Sequence, residues 1–332
     1  MADIAFLNAT GGDYSGQTVR EKPLRGVQSG TILLAEALVA RGHRVSVFNG
    51  VAAPESVRSV AYRPFGEASR ATADLVIANN NMREFDHGPA KGRRVVWMRN
   101  PANLRTLLKK GNLLPLLRHR PDGVFLSRAH LQAVPRVVWF RRRHIIELGT
   151  DAVFLDTPGE TTPRAPRAIF FSQFIRGLDE MLEIWRRHIH PRAPAAEFHL
   201  CGDLKHRDGA DFARFNIVPH GKVTKAELAA LLRSTRALLY QGHRQEAGCN
   251  AAIEAYATGN AIVTKGIGVL GERVDDGVTG FIRPDAEAFG KAAARVLTDD
   301  ALWLDLHRNA LAHWSVKPWS ARAEEWEAAF LH

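Results

Sequence analysis

Cysteine is scarce in this chain: Cys201 and Cys249 are the only two among 332 residues. Two are too few for a disulfide framework and fit a reducing cytoplasm, with both expected as small buried side chains. Long apolar runs are missing as well, and no stretch approaches the roughly 20 residues that a spanning helix needs. Met1 to Asn8 has neither a basic start nor a long apolar core, so no secretory leader is expected there. There is no Asp-x-Asp to hold a diphosphate-bound cation, and His188 and His190, two apart, would diverge on a helix. His206 and Asp208 read as surface groups, so no metal and no other cofactor is expected. Acid is nearly absent from residues 88–144, where Asp122 stands alone against fourteen Lys or Arg. The net charge of +10 therefore belongs to one segment, and the rest of the chain is slightly acidic.

What is present is an ordinary soluble composition, 45% hydrophobic and 24% charged, in a chain long enough for two domains with separate cores. The most telling stretch runs from 236 to 264. Arg236 to Tyr240 reads as a short buried strand that enters a polar loop, Gln241 to Gln245. Residues 249–258 read as a helix stopping at Gly259, and Ala261 to Thr264 is a second apolar run. Strand, loop, helix, strand is the unit of a parallel sheet whose ligands sit outside the strand ends. Gly248 would let the backbone approach a ligand, and the free N–H groups at the start of the helix, near Cys249 and Asn250, would favour a diphosphate. Glu254, inside the helix, could accept hydrogen bonds from a ribose diol, and Glu246, before it, from sugar hydroxyls. Taken alone, Glu254 would be a solvated helical residue.

The N-terminal part alternates in the same way. A strand, Ile4 to Leu7, precedes a loop from Asn8 to Gly16 and a helical pattern from Gly30 to Ala40 that ends at Gly42. Val45 to Phe48, Asp74 to Ala78, Arg94 to Met98 and Gly123 to Ser127 are further strands, which together indicate doubly wound α/β. Thr157 to Pro166 has linker composition.

Residues 236–289 resemble the nucleotide-sugar half of the retaining glycosyltransferases of family four, which have the GT-B fold. The motif is Glu246-x7-Glu254 with Gly248 two residues after the first Glu, followed by Gly259, the short strand, and the Gly266–Gly271 loop. Asp276-Gly277-Val278-Thr279-Gly280-Phe281-Ile282 and Pro284-Asp285-Ala286-Glu287-Ala288 match two further signatures. Leu34 to Val45 resembles the family's first crossover, and Gly149-Thr150-Asp151 the element that ends its N-terminal domain. The resemblance implies two Rossmann-like doubly wound parallel-sheet domains facing a cleft. The acceptor-side domain would span 1–150 with a C-terminal helix at about 315–332, joined by a linker at 151–167 to a nucleotide-sugar domain at 168–314. Trp314, Trp319 and Trp326 would lie in or near that last helix, with Trp326 in the core.

The resemblance also assigns roles. Arg176 stands where the family has a Lys that reaches the donor diphosphate, and its fork suits phosphate oxygens. A second family cation is replaced by Ser172 and Gln173, for which His243 or Arg244 would compensate. The resemblance also implies that Gly248, Cys249 and Asn250 line the donor. Gly26, in a reduced version of the family's glycine-rich loop at 25–30, would approach the leaving phosphate or simply precede a helix. Arg99 replaces a family histidine near the donor sugar, and since a guanidinium is no base at neutral pH, Arg99 and Asn100 become candidates for sugar or acceptor binding. Glu246 and Arg176 would carry catalysis: Glu246 by holding the sugar rather than as a nucleophile, Arg176 by stabilising the departing diphosphate.

Residues 103–120 mix leucines with cations. They suit an anionic membrane surface, with Leu107, Leu108, Leu113 and Leu114 inserting. A solvated face is the plain alternative, and nucleic acid, which clustered cations also attract, is not expected as a partner. The implied function is metal-independent transfer of a hexose or related sugar from a nucleotide sugar to a glycan or lipid-linked acceptor. It would serve bacterial surface polysaccharide or glycolipid synthesis, in the cytoplasm or at the inner face of the membrane. A GT-B epimerase or phosphorylase, or a silent binding protein with an anionic partner, would share these features.

Overall fold

The computed structural model describes residues 1–22, 24, 26–100, 104–202 and 210–331. His206 and Asp208, singled out above, and the first residues of the segments 25–30 and 103–120 lie outside the described residues. The chain forms two compact units, one of residues 1–149 with 317–332 and one of residues 150–316.

The first unit holds eight strands: β1 (Asp3–Leu7), β2 (Arg44–Asn49), β3 (Glu55–Val57), β4 (Val60–Pro64), β5 (Leu75–Asn79), β6 (Arg93–Trp97), β7 (Asp122–Phe125) and β8 (Arg143–Ile145). Their order is β3-β4-β2-β1-β5-β6-β7-β8. Every pair is parallel except β3 with β4 at one edge. The central strands β1 and β5 are apolar along almost their whole length because helices cover both faces of a parallel sheet. The winding reverses between β1 and β5, and loops from adjacent strand ends diverge there to leave a crevice.

The second unit holds β9 (Arg167–Phe170), β10 (Glu197–Cys201), β11 (Ile217–Gly221), β12 (Ala237–Leu239), β13 (Ala261–Thr264) and β14 (Gly280–Ile282). The order is β11-β10-β9-β12-β13-β14, and all five pairs are parallel. Here the winding reverses between β9 and β12. The core is built from Phe170, Leu238, Leu239, Ile262 and Val263 with Trp303, all fully buried. Buried Arg236 ties down the start of β12, donating to the carbonyls of Arg164 (2.7 Å) and Leu297 (2.9 Å).

The final helix, Trp319–Phe330, belongs to the first unit. Trp326 is fully buried and meets Trp97 edge-on at 5.3 Å, and Arg322 donates to the Leu148 carbonyl (3.1 Å). Trp319 is also buried, whereas Trp314 is half exposed.

Two expectations need adjustment. The helix read from Gly30 begins at Gly26 and runs to Ala40, so most of the supposed glycine-rich loop is its first turn. The segment 151–167 is not wholly extended, because Asp151 caps a short helix, Ala152–Leu155, whose Phe154 is fully buried. A capping side chain and one buried aromatic outweigh the linker-like composition that follows. Both cysteines are free and buried. Among the described residues no helix is long and apolar enough to cross a membrane.

Candidate functional site

In the second unit, the loops that leave β9 and β12 flank the reversal of winding. The β9 loop carries Arg176 and the β12 loop carries Glu246. The two side chains meet: Arg176 Nη1 donates to Glu246 Oε2 at 2.6 Å. Tyr240, the residue after β12, donates its hydroxyl to the same oxygen at 2.5 Å. Oε2 is thus spoken for, while Oε1 has no protein partner among the described residues. Burial opposes the charge on Arg176, but the Glu246 carboxylate outweighs it and holds the guanidinium above its usual range. Burial, reinforced by the same carboxylate, also pushes the Tyr240 phenol up, so it stays a donor.

Close backbone packing fixes this arrangement. Gly177, next to Arg176, has φ +115°, and a Cβ there would overlap the amide of Gln241. That amide donates to the Arg176 carbonyl at 3.4 Å. The loop after β13 closes the other side, where Gly268 (φ +68°) lies so near the His243 carbonyl that a side chain would not fit. Val269 N–H reaches the Glu246 carbonyl at 3.3 Å. Cation, carboxylate and phenol are therefore presented by loops with little room to shift.

The helix Asn250–Ala257 begins beside this cluster. Its N-cap, Cys249, has φ +52°, an uncommon conformation for a non-glycine residue. No capping side chain satisfies the first turn, and no acid stands in it. Its leading N–H groups remain available to an anion, as the dipole of a helix start favours. Gly248 and Cys249 are buried, and Asn250 is half-buried at the first helical position. Burial pushes the Cys249 thiol far up, which rules it out as a nucleophile at neutral pH.

Glu254 lies on the same helix, half-buried, and its carboxylate has no protein partner among the described residues. Burial pushes its pKa up to about 7, with Lys225 opposing and Asp151 adding to the shift. A carboxylate held without a partner at a desolvation cost is a frequent mark of a binding position. Of the two proposed stand-ins for a second cation, Arg244 is exposed, and His243 Nδ1 accepts from Gln245 N–H at 3.2 Å.

In the first unit, Gly26 and Arg99 come together while Asn100 turns outward. Arg99 is buried with its guanidinium 4.2 Å over the Trp97 ring, and Nη2 donates to the Gly26 carbonyl at 2.7 Å. Asn80 Oδ1 accepts from the backbone N–H groups of Arg99 (2.6 Å) and Asn100 (3.1 Å). Asn100 is exposed, and its carbonyl faces His130 Nε2 at 3.1 Å.

Three contributors were missed in the sequence. Tyr240 reads there only as the last residue of a strand. Gln241 is one polar residue among five. Asn80, with φ +57°, had a signal in the run Asn79-Asn80-Asn81, since asparagine tolerates the left-handed region. Among the described residues no group of three or more His, Cys, Asp or Glu is placed to hold a metal ion.

The model of the family "Glycosyl transferases group 1" matches residues 165–299. No curated protein matches the chain. Solved structures resemble it along its length. Sucrose-phosphate synthase (tll1590) from Thermosynechococcus elongatus has a TM-score of 0.73 at 15% identity, covering 100% of this chain and 98% of that one. Alr3699/HepE from Anabaena, solved in complex with UDP-glucose, has a TM-score of 0.71 at 16% identity and covers 99% of both chains. WaaG, a glycosyltransferase involved in lipopolysaccharide biosynthesis, has a TM-score of 0.68 at 14% identity, covering 98% of this chain and 99% of that one. The chain therefore has the GT-B fold of these glycosyltransferases, and within it residues 165–299 match glycosyl transferases group 1.

Proposed function

We propose that this chain is a retaining glycosyltransferase of the family-four type, moving a hexose or related sugar from a nucleotide sugar to a glycan or lipid-linked acceptor. The observation that carries the reading is the Arg176–Glu246–Tyr240 cluster beside the uncapped start of the helix Asn250–Ala257, which carries the unpartnered Glu254. The match of residues 165–299 to glycosyl transferases group 1 supports it.

In this reading the ribose diol donates to Glu254, and the diphosphate lies against the helix N–H groups and Arg176. Glu246 Oε1 takes sugar hydroxyls while Oε2 keeps Arg176 and Tyr240 in place. The anomeric C–O bond to the diphosphate breaks as the acceptor oxygen bonds to the same face of the anomeric carbon. The acceptor proton passes to the departing phosphate oxygen. Fixed donors aimed at that developing negative charge do most of the catalytic work. Helix N–H groups and a guanidinium suffice for the charge, so the reaction is proposed to need no metal.

The acceptor is proposed to reside at an anionic membrane surface, reached from the cytoplasmic side, in bacterial surface polysaccharide or glycolipid synthesis. Two short helices, Leu104–Lys109 and Leu113–His119, present Leu108, Leu114 and Leu117 to solvent beside Arg105, Lys109 and Lys110. Trp139 is 61% exposed with Arg120 stacked on it at 5.3 Å, a pairing suited to a membrane interface. Leu107 is buried and Leu113 half-buried, so the inserting set expected above is replaced by Leu108, Leu114, Leu117 and Trp139.

A thermal-shift screen of nucleotides and nucleotide sugars tests the central claim. A ligand at a hundredfold excess over its dissociation constant should stabilise by about 2.7 kcal/mol. Donor hydrolysis in the absence of acceptor then separates an enzyme from a silent binder. If no nucleotide or nucleotide sugar stabilises the protein, the transferase reading fails.

A further inference from the structure

Glu246 is held by two donors of unequal freedom. Arg176 Nη1 and the Tyr240 hydroxyl both reach its Oε2, at 2.6 and 2.5 Å. The Tyr240 ring is fully buried and meets Phe170 edge-on at 5.9 Å. Its backbone N–H donates to the Val263 carbonyl at 3.1 Å, so β12 stays tied to β13 up to the residue that carries the phenol. A side chain with two torsions, closed in by core atoms, has one place for its hydroxyl. Arg176 stands otherwise. It ends a short turn, Phe174–Arg176, beside Ile175, which is 89% exposed, and its own side chain is 24% exposed. Four torsions and an open side let a guanidinium swing where a phenol cannot.

The carboxylate between them needs the fixed donor. Backbone contacts hold Glu246 at both ends, its N–H donating to the His243 carbonyl at 2.8 Å and its carbonyl accepting from Val269 N–H at 3.3 Å. What remains free is the side-chain rotamer, and that sets where Oε1 points. A diphosphate carries more negative charge than a carboxylate and offers more acceptor oxygens, so it competes with Glu246 for the Arg176 fork. A carboxylate steered by Arg176 alone would be drawn along with it or left loose. Ser172, one of the two residues that stand in for a family cation, hydrogen-bonds the phenol oxygen and leaves the phenol proton for Glu246.

We propose that Tyr240 is a positioning residue of the donor site: its hydroxyl keeps the Glu246 carboxylate in place while Arg176 turns to the diphosphate. That the ligands are a diphosphate and its sugar rests on the transferase reading. The contrast between a fixed and a mobile anchor does not.

Crystal structures of two variants test the anchor without a ligand. Glu246 should keep its rotamer in Arg176→Ala, where the phenol remains. In Tyr240→Phe, which removes one oxygen and keeps the buried ring, it should turn or divide between rotamers. The reverse pattern, or the same behaviour in both variants, would overturn the proposal. Kinetics supply the second readout, with UDP-glucose, ADP-glucose and GDP-mannose as donors and hydrolysis without acceptor as the reaction. Tyr240→Phe should lower kcat roughly 10- to 100-fold, as the loss of a hydrogen bond to a charged group would, and leave KM and the affinities for UDP, ADP and GDP within about threefold. A merely structural tyrosine would give no such split. Unaltered kcat in Tyr240→Phe, or nucleoside diphosphate affinity lost in step with kcat, would also overturn the proposal. An unmodified protein that hydrolyses none of the three donors counts against the transferase, and the crystallographic comparison then decides the anchor by itself.

Discussion

Replacing Glu254 by Gln should make the protein more stable and worse at binding nucleotides. The carboxyl is held at about 7, where an unperturbed Glu has 4.5. The sign follows from which state holds the proton more tightly. The folded protein does, so the ionised side chain costs nothing below pH 4.5. The penalty grows as pH rises from 4.5 to about 7 and is level above that. In full the shift would correspond to about 3 kcal/mol, and partial exposure to solvent reduces it to about 1–3 kcal/mol. Glu254→Gln is neutral at every pH, so it should recover that energy at pH 8 and almost none of it near pH 4. In a unit of this size each kcal/mol moves the melting temperature by roughly 2–4 °C. Thermal unfolding followed by calorimetry at the two pH values reads this directly. The same change removes charge-assisted acceptance from a ribose diol, worth about 1.5–3 kcal/mol, so nucleoside diphosphate and nucleotide sugar should both bind roughly 10- to 100-fold more weakly. For the unmodified protein, affinity should rise as pH climbs through about 7 and the acceptor ionises. A Glu254→Gln protein with unchanged melting at pH 8 and unchanged nucleotide affinity would refute both the burial argument and the assigned role.

Glu246→Gln should spare nucleoside diphosphate binding yet impair transfer, because Glu246 is assigned to the sugar and to the anchoring of Arg176; equal loss of both ligands would reverse that division. Transfer should survive chelation, and Arg176→Ala should lower turnover by roughly 2–4 kcal/mol of transition-state energy, whereas activity restored only by magnesium or manganese would overturn the metal-free assignment. Gly177→Ala should destabilise by more than about 1 kcal/mol in urea unfolding, since it combines a φ of +115° with overlap on Gln241, and a neutral result would show that the loop is not tightly held. The unmodified protein should sediment with anionic liposomes, poorly with neutral ones, and be released by salt, with each cation near the surface worth about 1 kcal/mol. Charge reversal at Lys109 and Lys110, or Trp139→Ser, should weaken that sedimentation without changing nucleotide affinity, and indifference of the unmodified protein to anionic liposomes at low salt would favour a soluble acceptor.

Much of this chain is written in local signals. The strands around Ile4, Val76, Leu238 and Ile262 are short apolar runs bounded by polar or glycine residues, and each appears in the sheets. Glu246, Gly248 and Glu254 were legible because strand, loop and helix stand consecutively around them, in a succession that resembles the family's nucleotide-sugar half. Arg176 was legible for the same reason, as a cation between a strand and a helix. Each of these inferences needs only forces that act over a few residues, such as side-chain periodicity, helix termini and turn stereochemistry.

The meeting of those residues was not legible. Arg176 and Glu246 are 70 positions apart, and they touch because β9 and β12 are neighbours in the sheet, a matter of how the whole unit winds. Tyr240 joins them only because the strand ends one residue earlier and turns its hydroxyl toward the carboxylate. The basic segment makes the same point: its leucines look alike in sequence, yet Leu107 and Leu116 are buried while Leu108 and Leu114 face solvent. Arg99 reads in the sequence as a candidate for sugar or acceptor binding, and only packing shows it buried against Trp97 and the Gly26 carbonyl, with no counter-ion among the described residues. Local chemistry determined which residues could form strands, caps and anion-ready turns. Only the tertiary structure decided which of them lost their water and which charges were left facing one another, because burial and electrostatic pairing depend on distances in space that the order of residues does not set.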